Sequence, residues 1–359
     1  MRHKKALGDG FGRSLLPGSR QPALGGLLTR TFVFLPPLRA VSGGLAVLAE
    51  VAAGLAGLGQ AVTLVLRDPS TPPLRLPPGL PVVSLDAAGL TPDDVYVVPE
   101  GWPNALAPGL AAGARCLVYC QNWAYFHNGL PDGVTWDRLP VSFLAVSDPV
   151  ARYIELATGT LPPVLRPAID PALFSPPARK PAPGPVRVGY MPRKNKALAA
   201  MIRQTTTSRA ARTGLALEWT AIEGLSRHGV AEALGACHVF LATGFPEGCP
   251  LPPLEALACS CVVAGFGGFG GFDYMRSVAP GGHVPSVPLR QVPWGGNGFY
   301  AADNDVFGAT LALEAAAKLW IEGGPALTAA LESAAMTAAA YTPQAQQEAL
   351  AAIWSSLAG

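Results

Sequence analysis

Short apolar runs without strict alternation recur along the chain, set between turn residues and stretches of helical periodicity. In the first half they are TFVFLP (31–36), AVTLVL (61–66), PVVSL (81–85), DVYVVP (94–99), ARCLVYC (114–120) and VSFLAVS (141–147). Such runs suit parallel strands, because a strand covered by helices on both faces has no polar side to show. Ser147 or Asp148 can cap a helix opening at Pro149. PPVLRP (162–167) reads as a last short strand. The segment 40–66 is long enough to span a bilayer. It carries Glu50, Gln60 and several glycines, and its character changes at Gly59 from Ala/Leu-rich and helical to short and β-branched. Loop, helix and strand are the expectation there.

A proline-rich stretch, DPALFSPPARKPAPGP (170–185), interrupts the pattern, which then restarts. VRVGYMP, LALEWTAI, HVFLATG and CVVAGF read as strands. NKALAAMIRQ, HGVAEALGAC and PPLEALACS read as helices, the last opening at Pro252-Pro253 and placing Glu255 in its first turn. Two strand–helix arrays joined by a stiff linker predict an α/β protein of two Rossmann-like, doubly wound domains facing a cleft. The expected boundaries are a basic tail (1–30), a first domain (31–169), a linker (170–185), a second domain (186–342) and a final helix (343–359) packing back on the body. Leu350, Ile353, Trp354 and Leu357 share one face of that helix.

Composition narrows the function classes. Half of the 359 residues are hydrophobic, 14% are charged and the formal net charge is +2. That balance gives no reason to expect nucleic acid or an anionic membrane surface as a partner. The basic first thirty residues lack an apolar core of the secretory type. The expected location is cytoplasmic, with no transmembrane segment and peripheral membrane contact at most. Six cysteines contain no CxxC pair, so buried free thiols are expected rather than a zinc or redox centre.

The candidate chemistry gathers at strand ends, where doubly wound folds bind ligands. In FPEGCPLPPLEALACSCVVAGFGGFGG (245–271), Glu247 and Glu255 stand eight apart. Glu247 follows a strand directly, and a glycine-rich loop with Gly267 and Gly268 follows the next. In VGYMPRKNKALAAM (188–201), Arg193, Lys194 and Lys196 lie between a strand and a helix, where cations suit a diphosphate. Gly43 and Gly44 follow the first strand and can open a helix N-terminus to a phosphate. VYCQNWAYFHNG (118–129) sets Gln121 and Asn122 at a strand end, with Trp123, Tyr125, Phe126 and His127 beyond them. The aromatics suit a sugar-stacking platform or simple loop packing. His238 lies in an apolar strand and reads as core. Asp93-Asp94 precedes a strand and reads as a turn, and no carboxylate cluster near these motifs requires a metal.

The 245–271 segment resembles the EX7E region of retaining GT-B glycosyltransferases of family four, usually close to P-E-G-F-G-L-P-x-L-E-A-M-A. The likeness runs from about residue 31 to the end. It implies sugar transfer, with retention, from a UDP- or GDP-linked donor to a saccharide or other hydroxyl acceptor, in polysaccharide or glycoconjugate synthesis. Glu255 would accept hydrogen bonds from the donor ribose and Glu247 would bind donor-sugar hydroxyls. Gly248, Cys249 and Leu251 would line the sugar. Arg193 and Lys194 would neutralise the diphosphate. Gly43, Gly44, Gly267 and Gly268 would approach the donor, and Gln121, Asn122 and His127 would face the acceptor. No cofactor beyond the donor is implied. The chain departs from the family at Cys249-Pro250, where Phe-Gly is usual and Pro250 removes an N–H. It departs again at Leu198, where a lysine is usual. A GT-B nucleotide-sugar epimerase and a non-catalytic sugar-nucleotide binder are the alternative readings.

Overall fold

Six parallel strands form the first sheet: β1 (Arg30–Phe34), β2 (Ala61–Leu66), β3 (Val82–Ser84), β4 (Val95–Pro99), β5 (Arg115–Cys120) and β6 (Val141–Ala145). Their order is β3-β2-β1-β4-β5-β6. The second sheet holds β7 (Val186–Tyr190), β8 (Leu217–Ala221), β9 (Val239–Ala242), β10 (Val262–Phe266) and β11 (Gly298–Ala301) in the order β11-β10-β9-β7-β8. These come from a computed structural model that describes residues 29–37, 43–72 and 76–358. Most of the expected basic tail lies outside the described residues, and so does Ser42. In both sheets the order reverses beside the first strand, between β1 and β4 and between β7 and β9. That topology opens a crevice at the strands' carboxyl ends.

The helices follow the predicted rhythm. They are α1 (Gly43–Gly57), α2 (Ala107–Ala112), α3 (Asp148–Thr158), α4 (Lys196–Thr213), α5 (Arg227–Ala236), α6 (Leu251–Ala258), α7 (Val306–Glu322), α8 (Gly324–Ala339) and α9 (Pro343–Ala358). The 40–66 segment resolves into α1 and β2, and among the described residues no helix is long and apolar enough to cross a membrane. Every residue of β4 and β10 is buried, which is why these strands carry no polar face. All six cysteines are buried and free.

Two local expectations need correction. PPVLRP is no strand: it makes a single bridge, Val164 to Ala145. Pro162, Pro163 and Pro167 have no N–H, so the ladder cannot extend beyond the Leu165 amide on the Ala145 carbonyl. Glu255 lies in the second turn of α6, because that helix begins one residue before the double proline, with Pro250 as its cap.

One buried carboxylate ties the two sheets together. Asp273 follows β10 and is fully buried. Its oxygens accept from Arg166 Nε at 2.6 Å and Nη2 at 3.0 Å, and from the backbone N–H of Asp148, first residue of α3, at 2.9 Å. The Tyr341 hydroxyl donates to it as well, and Arg290 Nε lies 3.2 Å away. Burial alone would raise this carboxyl. The hydrogen bond and charge of Arg166, with the charge of Arg290, hold it below the ordinary carboxylate value. Beside it, the hydroxyl of Ser147 caps α3 and donates across the cleft to the Gly248 carbonyl at 2.6 Å. The chain then returns: Trp354 on α9 donates to the Thr31 hydroxyl on β1 at 3.0 Å.

Removing the carboxylate leaves two guanidinium groups facing each other without their counter-ion. Asp273→Ala is expected to cost about 3–5 kcal/mol of unfolding free energy in urea titration at neutral pH. A loss under about 1 kcal/mol, the range of an exposed pair, would show that this cluster does not hold the sheets together.

Candidate active site

The crevice between the sheets holds a cavity of about 580 Å³. Two strand ends of the second sheet build one wall. The loop after β7 supplies Arg193 and Lys194, and the loop after β9 supplies Glu247. Asn195 locks the two loops together. It adopts a left-handed backbone with φ 54° and donates from Nδ2 to the Thr243 carbonyl at 2.8 Å and the Phe245 carbonyl at 3.2 Å. Thr243 Oγ1 returns a hydrogen bond to the Lys194 carbonyl. The first residue of α6, Leu251, completes this wall with Cys249 and Pro250.

The cations differ in their state. Lys194 forms an ion pair with Glu247, so those two charges offset one another. Arg193 is exposed and makes no hydrogen bond or ion pair among the described residues. It therefore carries the uncompensated positive charge of this wall. Lys196 is exposed at the start of α4 and does not line the cavity.

The first sheet forms the facing wall. Gly43 and Gly44 open α1 there, and Gln121 and Asn122 follow β5. Gln121 lies against Gly44, its side-chain oxygen close enough to touch any Cβ placed there. Asn122 donates across the cleft to the Pro246 carbonyl at 3.0 Å. Glu100, immediately after β4, also lines this wall, and the sequence reading missed it. The strand-end rule that singled out Glu247 applies equally to Glu100 in VYVVPEGW. Its Oε2 accepts from the Gln121 N–H at 2.8 Å. Burial pushes its carboxyl up to about 7, against the backbone donors of Gln121, Glu100 and Asn122.

Glu255 sits one turn behind the cavity-lining Pro252 and Pro253 and is not itself in the lining. Its carboxylate has no hydrogen-bond partner among the described residues. Burial raises it to about 7; the charge of Arg227 opposes this and that of Glu50 on α1 adds to it.

Several expected glycine roles change. Gly248 is not on the cavity wall: a Cβ there would collide with the Gln121 carbonyl. It is glycine because the backbones of the two walls meet at that point. Gly268 has φ +64° and donates to Asp303 at 2.9 Å, while its carbonyl accepts from the Glu247 N–H at 3.0 Å. Gly267 packs against the Phe272 ring. This pair supports Glu247 from behind instead of approaching the cavity. His127 is also displaced. It is exposed, its ring rests near Phe126 and Tyr153, and it does not reach the cavity. Phe126 is fully buried, in a cluster with Trp136 and Phe143. Of the three aromatics considered for stacking, Tyr125 alone lines the cavity. His238 is core as expected: its Nδ1 accepts from the Arg187 N–H, leaving Nε2 to donate to the Pro181 carbonyl. Among the described residues no group of three or more His, Cys, Asp or Glu could hold a metal.

No protein-family model matches this chain, and no curated protein sequence matches it. Solved structures do resemble it. A glycosyltransferase from Rickettsia africae ESF-5 aligns with a TM-score of 0.61 at 13% identity, over 92% of this chain and 98% of that one. The lipopolysaccharide outer core galactosyltransferase WaaB aligns with a TM-score of 0.58 at 11% identity, over 91% and 99%. The catalytic domain of starch synthase IV from Arabidopsis thaliana, bound to ADP and acarbose, aligns with a TM-score of 0.55 at 14% identity, over 90% and 99%. At such identities the likeness bears on architecture, and there it agrees with the sheets and their order: the chain has the GT-B fold, two Rossmann-like domains facing a cleft.

Proposed function

We propose that the protein is a glycosyltransferase that takes a nucleotide-sugar donor on its second-domain wall and a hydroxyl acceptor on its first. The observation that carries this reading is the unpaired Arg193 in a strand-end cavity beside the Lys194–Glu247 pair. A diphosphate is the ligand chemistry that such a cation suits. The start of α6 offers little help, since Pro250, Pro252 and Pro253 lack N–H groups and Leu251 is left as the free donor there. The electrostatic work on the leaving diphosphate therefore falls mainly on Arg193. Glu247, held by Lys194 and by the Gly268 carbonyl, is placed to bind sugar hydroxyls. Glu255, with an unpartnered carboxylate, would take the ribose hydroxyls. Retention at the anomeric carbon, a UDP or GDP base, independence of metal and a cytoplasmic location belong to the same proposal. Its rivals differ in product. An epimerase would alter the donor without an acceptor, and a binder would release nothing.

Arg193→Ala is expected to lower turnover at saturating donor by about two to three orders of magnitude, because a fixed charge acts most on the charge that develops in the transition state. Arg193→Lys should fall between, having lost the planar fork. Wild-type turnover in Arg193→Ala, with the fold checked by circular dichroism, would remove the diphosphate from this loop. The same assay run in EDTA should be unaffected, and activity restored only by added Mg²⁺ or Mn²⁺ would refute the metal-free reading.

Glu255 yields a second, opposite-signed expectation. Folding raises its carboxyl from 4.5 to about 7, so the folded chain binds the proton more tightly, and stability falls as pH rises between those values and stays at the lower level above them. Glu255→Gln should stabilise the nucleotide-free protein at pH 8 by about 1–3 kcal/mol, with the gain shrinking toward pH 5. Nucleotide affinity measured by calorimetry should fall by about 1–2 kcal/mol in the same variant. Unchanged affinity would take Glu255 out of the donor site.

A further inference from the structure

Glu100 is a carboxylate that the fold holds by backbone amides alone. It stands directly after β4, on the first-domain wall of the cavity, beside Trp102, Gln121 and Asn122. Its hydrogen-bond partners are backbone amides, led by the Gln121 N–H at 2.8 Å. No cation pairs with it among the described residues, and the cations of the cavity lie on the opposite wall, Lys194 already taken by Glu247. A half-buried carboxylate held this way pays for its desolvation without a counter-ion. An ionised carboxyl offers about four acceptor positions. The backbone donors orient the group and leave it capacity to accept from something in the cavity. An anion would be repelled there, whereas a neutral O–H donor suits a carboxylate.

We propose that Glu100 is the acceptor-binding residue of the site, its carboxylate accepting a hydrogen bond from a hydroxyl neighbouring the one that attacks. This rests on the glycosyltransferase reading and adds a substrate class: an acceptor with two adjacent hydroxyls, such as a saccharide or glycerol. The acceptor oxygen forms its bond to the anomeric carbon. The bond from that carbon to the diphosphate breaks with its electron pair on the diphosphate, which takes up the attacking hydroxyl's proton. Glu100 keeps its own protonation state throughout and only orients. When water replaces the acceptor, one of its O–H groups is held by Glu100 and the other proton leaves.

The group titrates in the range where an enzyme is assayed, since burial sets it near 7. The titratable neighbours on its own wall are Tyr119 and Cys120 on β5, both raised far above neutrality by burial, and Tyr125. Facing it across the cavity are Arg193, Lys194, Glu247 and Cys249. Charge-assisted hydrogen bonding to the acceptor is then present above about 7 and lost as the carboxyl takes up a proton below it.

The test uses the full chain. Calorimetry with UDP-, GDP- and ADP-hexoses selects the donor, and release of nucleoside diphosphate is followed with water, glycerol or methyl glucoside as acceptor probes, from acid to alkaline pH. Wild-type turnover at saturating donor should rise through pH 7. Glu100→Gln should turn over about 10- to 100-fold more slowly, in the range of a lost positioning contact, with donor KM unchanged and that pH limb gone. Glu100→Asp should keep the limb at a reduced rate. A Glu100→Gln variant with wild-type turnover and an intact limb overturns the proposal. So does a variant whose donor KM rises as far as its rate falls. If no nucleotide sugar binds the wild type, or a bound one is never turned over, the transferase reading itself fails, and that outcome is distinct from a change confined to Glu100→Gln.

Discussion

The buried carboxylate of Asp273 is the constraint on which the geometry of the cleft depends. It is one residue of the second sheet's periphery, yet its partners come from a loop leaving the first sheet, from the first turn of α3 and from the tyrosine that precedes α9. A carboxylate taken fully out of water is tolerable only when every lone pair is met, and here cations and an amide meet them. Because α3 starts on Asp273, Ser147 is delivered to the Gly248 carbonyl next door. That contact in turn lays Gly248 against Gln121, where no side chain fits. The two cavity walls are thus registered through a short chain of polar contacts, with Arg193 and Glu100 on opposite sides of the space they leave.

Much of this was legible from residue pattern. AVTLVL forms a strand over Ala61–Leu66 and the final helix runs Pro343–Ala358, because one is short, apolar and rich in β-branched residues and the other opens on a proline. Of the two expected caps, Ser147 and Asp148, Ser147 is the helix cap, and the helix opens at Asp148, one residue before the expected Pro149. The strand-end rule located Arg193, Lys194, Glu247, Gln121 and Asn122 on one cavity. What was not legible depends on packing between segments far apart in the chain. Gly248, Gly267 and Gly268 look like ligand-facing glycines in sequence, but their neighbours are Gln121, Phe272 and Glu247. The pairing of Lys194 with Glu247 joins two motifs read as independent. Glu100 passed unnoticed because a lone acid after a strand carries no motif, although its position obeys the same rule.

The cavity also shows how its charge is distributed before any ligand arrives. Glu100 on the cavity lining, and Glu255 one turn behind that lining, are raised to about 7 by burial, while Glu247 is matched by Lys194. Neutralising one acid with a neighbouring lysine and leaving Arg193 unmatched gives the second-domain wall a positive character. The first-domain wall bears the acid. The site is polarised from one domain to the other.

The return of α9 to the first sheet has a consequence for how the chain acquires its structure. The indole of Trp354 and the hydroxyl of Thr31 meet across 323 residues of sequence, and Gln347 reaches back to the Gly54 carbonyl over 293. As the polypeptide emerges from a ribosome, β1 and α1 are made well before α9, and the surface that α9 covers stays bare until α9 has been made. Contacts of such long sequence separation close late, after the entropy of the intervening loop has been overcome. The domain of the first sheet is in this sense begun before that of the second and completed after it, and its apolar flank needs shelter from premature association in the interval.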